Sequence, residues 1–407
     1  MFRKLMVMAL CLTMAFDVCF AAKVREVPAD VGLVSIDAES AMFSDGYKIT
    51  KVTLLYKKKL DPSSVTVDDY EVQGQIIKSV EVNGMKVIIN LDTSNFWYPE
   101  HKDFKYDNER NTFGKYAIVT QKGDVTVADG KSIYAGPTTI TSEKTKEPKL
   151  FKQFWDKTYV DDETDLEIRY ALFTPERYSE GWQYPIIVFI PDSRATTNIS
   201  KASLLQGTGG YIWATEEEQK KLQAYVVAIQ YPKYTEKKYG PLVTGDGSWT
   251  PGLEAICRLI QKEFANSRAS RTRVYGVGQG EGAAANLLIG QHYPSFYAAQ
   301  FAISPIYEIK DMDALKDQNL WIMVSSKDKQ SYEAMEKSLK PLMSNSNSLC
   351  KDTWNVDSTA EEFAQAAKNQ ISKGTANNYT VIDGGCREYT WCIGQEIEAI
   401  RDWLTAQ

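Results

Sequence analysis

The sequence predicts a chain in two parts, an all-β part followed by an α/β part with a parallel sheet. Three observations support this prediction. The 407 residues exceed one average domain and suit two. Short alternating runs rich in Val, Ile and Thr fill residues 23–147, whereas compact apolar runs alternate with helical patterns over residues 148–407. The polar, charged stretch 141–150 (TSEKTKEPKL) is a candidate linker between them. We therefore expect domains at 23–147 and 148–407.

The first 22 residues have the order of a secretory signal peptide. Arg3 and Lys4 precede the apolar run 5–16, and Ala21 and Ala22 end the segment. The apolar run is too short to span a bilayer, and no later stretch is long and apolar enough to serve as an anchor. We expect removal of this segment and a secreted, periplasmic or cell-envelope protein without a transmembrane anchor.

The all-β prediction depends on turn chemistry between alternating runs. Asn83-Gly84 lies between two such runs and is a strong hairpin signal, and Lys122-Gly123 separates two more. Strands at this spacing favour a small sandwich. The aromatic-rich segment 95–111 (NFWYPEHKDFKYDNERN) is a candidate binding loop, or a lid over the second part.

The second part shows strands and helices in alternation. Its compact apolar runs are typical of buried parallel strands, and its helical segments carry apolar residues at a period of 3.6. We predict strands at 184–190, 224–230, 272–278, 297–304, 320–326 and 378–383, and helices at 251–264, 282–291, 331–342 and 394–406.

The composition and net charge limit the classes of partner, metal and cofactor that the sequence suggests. A mild net charge of −6 gives no reason to expect nucleic acid. Without CxxC pairs or a His-rich tract, neither a metal site nor a cofactor is expected. Four cysteines outside the predicted signal peptide permit two disulfides or remain as buried thiols. These are Cys257, Cys350, Cys386 and Cys392.

The segment 274–288 (VYGVGQGEGAAANLL) predicts a strand entering a helix through a glycine-packed turn. Its centre, Gly278-Gln279-Gly280-Glu281-Gly282, has the G-x-S-x-G pattern of a nucleophile elbow with glycine in place of serine. With the flanking runs in order, residues from about 152 onwards resemble secreted α/β-hydrolase esterases and peptidase-like proteins that carry an N-terminal immunoglobulin-like domain. The resemblance implies an α/β-hydrolase fold, a mostly parallel sheet flanked by helices, preceded by an immunoglobulin-like sandwich.

Such families need a serine, a histidine, an acid and an oxyanion hole. By the resemblance, Gly280 occupies the nucleophile position, Arg387 the histidine position and Asp328 the acid position. Glycine has no side chain to attack with, and arginine does not give up its proton. Only the acid position is retained. Because the acid and histidine are neighbours in the family, we expect a salt bridge between Asp328 and Arg387, with Glu281 as a competitor for the arginine.

The loop after the strand 184–190 should supply oxyanion donors, and in the family it begins with His-Gly. Here it reads Pro191-Asp192-Ser193. Proline lacks an N–H group, and an aspartate would repel a developing negative charge. The resemblance thus implies a degenerate oxyanion loop.

Other chemistries find less support. Gly278-x-Gly280-x-x-Ala283 fits a loose dinucleotide pattern, but no acidic residue follows the next strand. A serine nucleophile at Ser304 or Ser193 would need a lysine base, Lys327 or Lys329. The acidic run Asp311, Asp313 and Asp317 is expected at a solvated helix start rather than at a metal. The two histidines, His101 and His292, have better structural than catalytic interpretations.

Two functions from different classes follow. The first is an exported pseudo-hydrolase that binds a small molecule, glycan or protein at the cell envelope. The second is an active secreted carboxylesterase or serine peptidase-like hydrolase with an unidentified nucleophile. The losses at Gly280, Arg387 and the oxyanion loop favour the first.

Overall fold

The computed structural model describes residues 32–93, 116–142, 144–176, 181–198, 201–265, 267–343 and 348–407. The predicted signal peptide, the aromatic-rich segment 95–111 and His101 lie outside this range. Within the described residues, no helix has the length and apolar character needed to cross a membrane.

The described residues of the N-terminal part form β-strands, with short 3₁₀ turns between some of them. A five-stranded sheet has the order β10-β1-β2-β5-β4, and smaller sheets pair β3-β6-β9 and β7-β8. Asn83 ends β4 and Gly84 has φ 62°, so the predicted hairpin between β4 and β5 is confirmed. The strands are β1 (Leu33–Phe43), β2 (Gly46–Tyr56), β3 (Tyr70–Val72), β4 (Ile77–Asn83), β5 (Lys86–Leu91), β6 (Ile118–Gln121), β7 (Val125–Thr126), β8 (Ile133–Tyr134), β9 (Thr138–Thr141) and β10 (Lys144–Lys146).

The second part contains a nine-stranded sheet in the order β11-β12-β14-β13-β15-β16-β17-β19-β18. The first three strands pair antiparallel, and β14 onwards pair parallel. The strands are β11 (Trp155–Val160), β12 (Glu167–Phe173), β13 (Tyr184–Ile190), β14 (Tyr225–Gln230), β15 (Ala269–Gln279), β16 (Ala299–Ile303), β17 (Asn319–Ser325), β18 (Leu349–Asn355) and β19 (Asn377–Asp383).

Helices cover both faces of this sheet. Successive residues of β13 alternate between two apolar cores, with Val188 packing into one and Phe189 into the other. This explains why the strand is apolar throughout. The helices are α1 (Glu216–Lys221), α2 (Lys233–Tyr239), α3 (Pro251–Glu263), α4 (Glu281–His292), α5 (Lys329–Ser338), α6 (Lys340–Met343), α7 (Ala360–Ile371), α8 (Arg387–Glu396) and α9 (Glu398–Thr405).

Two predicted segments differ from the structure. The candidate linker 141–150 contains β10, which pairs with β1 in parallel. The single helix predicted at 394–406 is two helices, and the first begins at Arg387, in what was predicted as a loop. The chain is extended at Ile397, with ψ 99°. Trp391 in the first helix and Trp403 in the second are both buried in the same apolar core.

Candidate functional site

The candidate site lies along one edge of the large sheet. Strands β13, β15, β16, β17 and β19 are neighbours and run parallel, so their carboxyl ends meet at this edge. The residues that follow them include Asp192, Gly280, Ser304, Asp328 and Arg387. Carboxyl edges of parallel sheets are where ligands and catalytic groups gather in α/β proteins.

The elbow keeps its backbone geometry. Strand β15 ends at Gln279, helix α4 begins at Glu281, and Gly280 turns between them at φ 59° and ψ −122°. Its N–H donates to the Ile303 carbonyl at 2.9 Å. A Cβ atom at Gly278 would approach Gly282 O to 2.5 Å, and a Cβ atom at Gly282 would approach the Pro191 carbonyl just as closely. Both glycines are therefore required by close backbone packing.

The Asp192 side chain fills the space that a nucleophile would need. A Cβ atom placed on Gly280 would lie 2.8 Å from Asp192 Cγ and 3.0 Å from its Cβ, and nearer still to Oδ2. Asp192 is 3% exposed, so this carboxylate is enclosed. A serine cannot stand at Gly280 while Asp192 keeps this position.

Arg194 holds Asp192 in place. Its Nε donates to Asp192 Oδ1 at 2.8 Å, and its Nη1 donates to Glu388 Oε1 at 2.7 Å. The guanidinium also lies 4.7 Å from the centroid of the Trp391 ring. Since Glu388 and Trp391 belong to α8, Arg194 joins the β13 loop to that helix by charge-assisted bonds.

A glutamine engages the backbone of the predicted oxyanion loop. The Asp192 N–H donates to Gln206 Oε1 at 2.9 Å. Gln279 Nε2 in turn donates to the Gln206 carbonyl at 3.2 Å. Of the other predicted loop residues, Pro191 is buried and Ser193 is exposed. The Asp192 N–H is therefore already used inside the protein, where an oxyanion hole needs donors aimed at the substrate.

The predicted salt bridge between Asp328 and Arg387 is confirmed. Arg387 Nε donates to Asp328 Oδ2 at 2.7 Å and Nη2 donates to Oδ1 at 2.8 Å, a bidentate pair. Nη2 also donates to Gln330 Oε1 at 2.9 Å. Burial alone would lower the pKa of Arg387, but the hydrogen bonds and charge of Asp328 outweigh burial and raise it. Arg387 therefore remains a cation at any physiological pH.

Glu281 does not compete for Arg387. Its Oε1 accepts the Val243 N–H at 3.0 Å, in a pocket where Glu281 is 7% exposed. Burial raises the pKa of Glu281 to about 7, the Asp192 charge adds to the rise, and the Val243 hydrogen bond opposes it. The expectation of a competing Glu281–Arg387 contact was wrong because α4 directs this side chain toward the loop 240–250.

The alternative nucleophiles have no lysine base beside them in the described residues, and the Ser193 hydroxyl hydrogen-bonds the Glu281 carboxylate. Ser304 has φ 51° and is fully buried, and its Oγ makes no hydrogen bond in the described residues. Lys327 and Lys329 are exposed, so neither forms the Ser–Lys pair considered above. His292 ends α4 as predicted, and its ring stacks on Trp249 with centroids 4.0 Å apart.

The cysteine and acidic candidates have structural environments. All four cysteines within the described residues are free thiols, so neither disulfide forms. Asp311 and Asp313 lie at the start of a short 3₁₀ turn. Among the residues that the structure describes, no group of three or more His, Cys, Asp or Glu side chains is placed to hold a metal ion.

Sequence reasoning assigned no role to three residues that shape the site, Arg194, Gln206 and Glu388. Arg194 and Glu388 are separated by 194 positions along the chain, and no motif links them. The only available signal was topological, because both follow strands whose carboxyl ends share one edge.

Comparison with known proteins identifies the fold of this chain. No family model matches the sequence, and no curated protein matches it. The solved structure of a thermostable esterase matches with a TM-score of 0.62 at 18% identity, covering 92% of this chain and 99% of that one. At this identity the match shows shared fold and no more.

Other solved structures match a smaller share of the chain. The S-formylglutathione hydrolase FrmB of Staphylococcus aureus covers 62% of this chain at 11% identity, with a TM-score of 0.37. The BES protein of Bacillus cereus covers 60% at 10% identity, also with a TM-score of 0.37. The match to the thermostable esterase extends over both parts of the chain. The chain has an esterase-like α/β-hydrolase fold.

Proposed function

We propose that this protein is a non-catalytic member of the α/β-hydrolase fold that binds a ligand and does not cleave one. The observation that carries the proposal is the position of Asp192, whose carboxylate lies where the side chain of a nucleophile at Gly280 would stand. A serine hydrolase needs that space for an oxygen and its attacked carbonyl.

Two further features support the proposal. Arg387 and Asp328 satisfy each other, so the acid position has no histidine to orient and no base is available there. The Asp192 carboxylate would also place negative charge beside any oxyanion formed at the elbow, which raises the barrier instead of lowering it.

The same proposal includes location and domain organisation. The N-terminal segment has signal-peptide order, so we propose export to the envelope or beyond, where the ligand is a small molecule, a glycan or a protein. We also propose that residues 23–147 form an immunoglobulin-like sandwich and residues 148–407 the hydrolase-fold domain. In support, residues 33–134 carry an apolar core of their own.

A fluorophosphonate probe tests the proposal, because it needs only an activated serine. The mature wild-type chain is expected to remain unlabelled. The double variant Gly280→Ser/Arg387→His should also remain unlabelled, because Asp192 obstructs the new side chain. Adding Asp192→Gly to that pair frees the space and lets Asp328 orient the histidine, so the triple variant should label.

Peptide mapping decides against the proposal if it finds an adduct on any serine of the wild-type chain. That result would identify the nucleophile of an active esterase or peptidase-like hydrolase, the second function considered. Thermal unfolding of each variant shows whether a variant that does not label is folded.

A further inference from the structure

A large cavity opens at the opposite edge of the sheet from Gly280. Its volume is about 1000 Å³, and it lies at the amino ends of β13 and β15, beside α1. This volume is at the upper end of the range for small-molecule and cofactor sites. None of the residues at the elbow, the oxyanion loop or the Asp328–Arg387 pair lines it.

The rim of this cavity carries an exposed tryptophan. Trp182 is 62% exposed, and Phe173, Tyr184 and Tyr211 line the walls near it. An indole left in water costs free energy that burial against a ligand would recover. Its flat face offers an apolar surface, while its ring N–H can still donate a hydrogen bond.

The remaining lining is rich in side-chain amides. Gln153, Gln183 and Gln223 line the cavity, and their amide groups make no hydrogen bond within the described residues. Each amide offers two donors and an acceptor. Hydroxyl groups, which donate and accept at once, are the ligand groups that such a lining satisfies best.

The charged side chains that line the cavity restrict the class of ligand further. Four cations, Lys149, Lys220, Lys221 and Arg273, line the cavity together with two carboxylates, Glu176 and Glu216. Lys220 pairs with Glu216, and Lys221 pairs with Glu218, Glu398 and Asp402, so carboxylates already match these two lysines. Mixed charge does not favour a polyanion. An acyl chain would have to desolvate these charges, which is costly.

We propose that this cavity is a carbohydrate-binding site, with Trp182 stacking on the apolar face of a sugar ring and the glutamine amides bonding its hydroxyls. A soluble oligosaccharide combines an apolar ring face with a belt of hydroxyls, and both features are matched here. The site is independent of the triad edge, so the inference stands whether or not the elbow is catalytic.

Binding of the full mature chain to an array of plant, fungal and bacterial oligosaccharides tests the proposal, followed by titration of a bound sugar by tryptophan fluorescence. Trp182→Ala should weaken binding about tenfold, since it removes the stacking surface. Gln183→Ala should weaken binding less, by the loss of one amide.

Trp155→Ala is the matched control, because Trp155 is 66% exposed and does not line the cavity. It should leave the affinity unchanged. The proposal fails if the wild-type chain binds no oligosaccharide on the array, or if Trp182→Ala binds as tightly as Trp155→Ala. Fluorophosphonate labelling reports on the other edge, so its result does not alter this one.

Discussion

At the residue scale, two carboxylates and two guanidinium groups form ion pairs at the sheet edge that carries Gly280. Asp192 pairs with Arg194, and Asp328 pairs with Arg387. Asp328 is 7% exposed and Arg387 20% exposed in their side chains, so solvent screens this pair only in part.

Replacing Arg387 tests the role of the pair in stability. Arg387→Met leaves the Asp328 carboxylate enclosed without a counter-charge and should lower the free energy of unfolding by about 2 kcal/mol. The double variant Asp328→Asn/Arg387→Met removes the stranded charge and keeps a side chain that can cap α5, so it should recover about half of this loss. Urea unfolding of the wild type and the three variants, including Asp328→Asn, gives the coupling energy. A coupling near zero would contradict a stabilising pair.

The raised pKa of Glu281 predicts that the stability of the folded protein depends on pH. Its pKa is raised from 4.5 to about 7 by burial, so the folded state binds a proton that the unfolded state has lost over this interval. This contribution to stability should therefore be fully present below about pH 4.5, fall by about 3 kcal/mol as the pH rises to about 7, and level off above it.

Glu281→Gln keeps an acceptor for the Val243 N–H and cannot ionise. Its free energy of unfolding should therefore change less between pH 5 and pH 7.5 than that of the wild type. It should also be the more stable protein at pH 8. Parallel slopes for the two proteins in denaturant titrations across this range would exclude Glu281 as the source.

At this scale the sequence predicted one contact of the site through the family resemblance. Asp328 and Arg387 were expected to pair because the resemblance places them at neighbouring acid and histidine positions, and they do. The obstruction of Gly280 by Asp192 was not predicted, because it depends on the path of one loop. Local sequence pattern contains no such information.

At the scale of elements, the elbow is a strand and a helix packed at backbone contact. A Cβ atom on Gly282 would overlap the Ile190 and Pro191 carbonyls, which neighbouring strands hold in place. Gly282→Ala should therefore cost about 3 kcal/mol, measured by thermal or denaturant unfolding.

Gly290→Ala, in the same helix, is the control for the Gly282→Ala prediction. The atoms near its added Cβ belong to the ends of the Gln300 and Gln318 side chains, which can move. Alanine also has the higher helix propensity, so the change should stay within about 1 kcal/mol. Equal losses for the two variants would show that helix α4 does not depend on the approach at Gly282.

Periodicity predicted only some elements of the second part, and it did not predict their ends. Strands β11, β12 and β18 and helix α7 were not predicted. Helix α3 and all six predicted strands of the second part are present, because long apolar runs leave few alternatives. The break at Ile397 was not predicted, since it arises from packing two helices against one sheet face. The start of α8 at Arg387 was also missed, because residues 384–386 give no helix-cap signal.

At the scale of the whole molecule, the two parts meet beside the triad edge. The turn between β1 and β2 presents the Ser44 carbonyl, which accepts the Cys392 thiol of α8 at 2.9 Å. Gly207 packs against the same turn, and its neighbour Gln206 holds the Asp192 N–H. The N-terminal part thus supports the loop that keeps Asp192 over the elbow. This contact joins residues 348 positions apart, which no sequence pattern could indicate.

Gly207→Ala tests this support. Gly207 has φ 100°, and its added Cβ would overlap the Ser44 carbonyl, so the turn must move away from α8. We expect a loss of about 2–3 kcal/mol in unfolding free energy and exposure of Cys392 to Ellman's reagent in the folded protein. In the wild type, burial raises the pKa of the Cys392 thiol well above its ordinary value, so this thiol should react only on unfolding.

Gly240→Ala is the matched control, because Gly240 has φ 91° with open space around it and reports the cost of the left-handed backbone alone. If the two variants lose equal stability and Cys392 remains protected in both, the turn does not support the site.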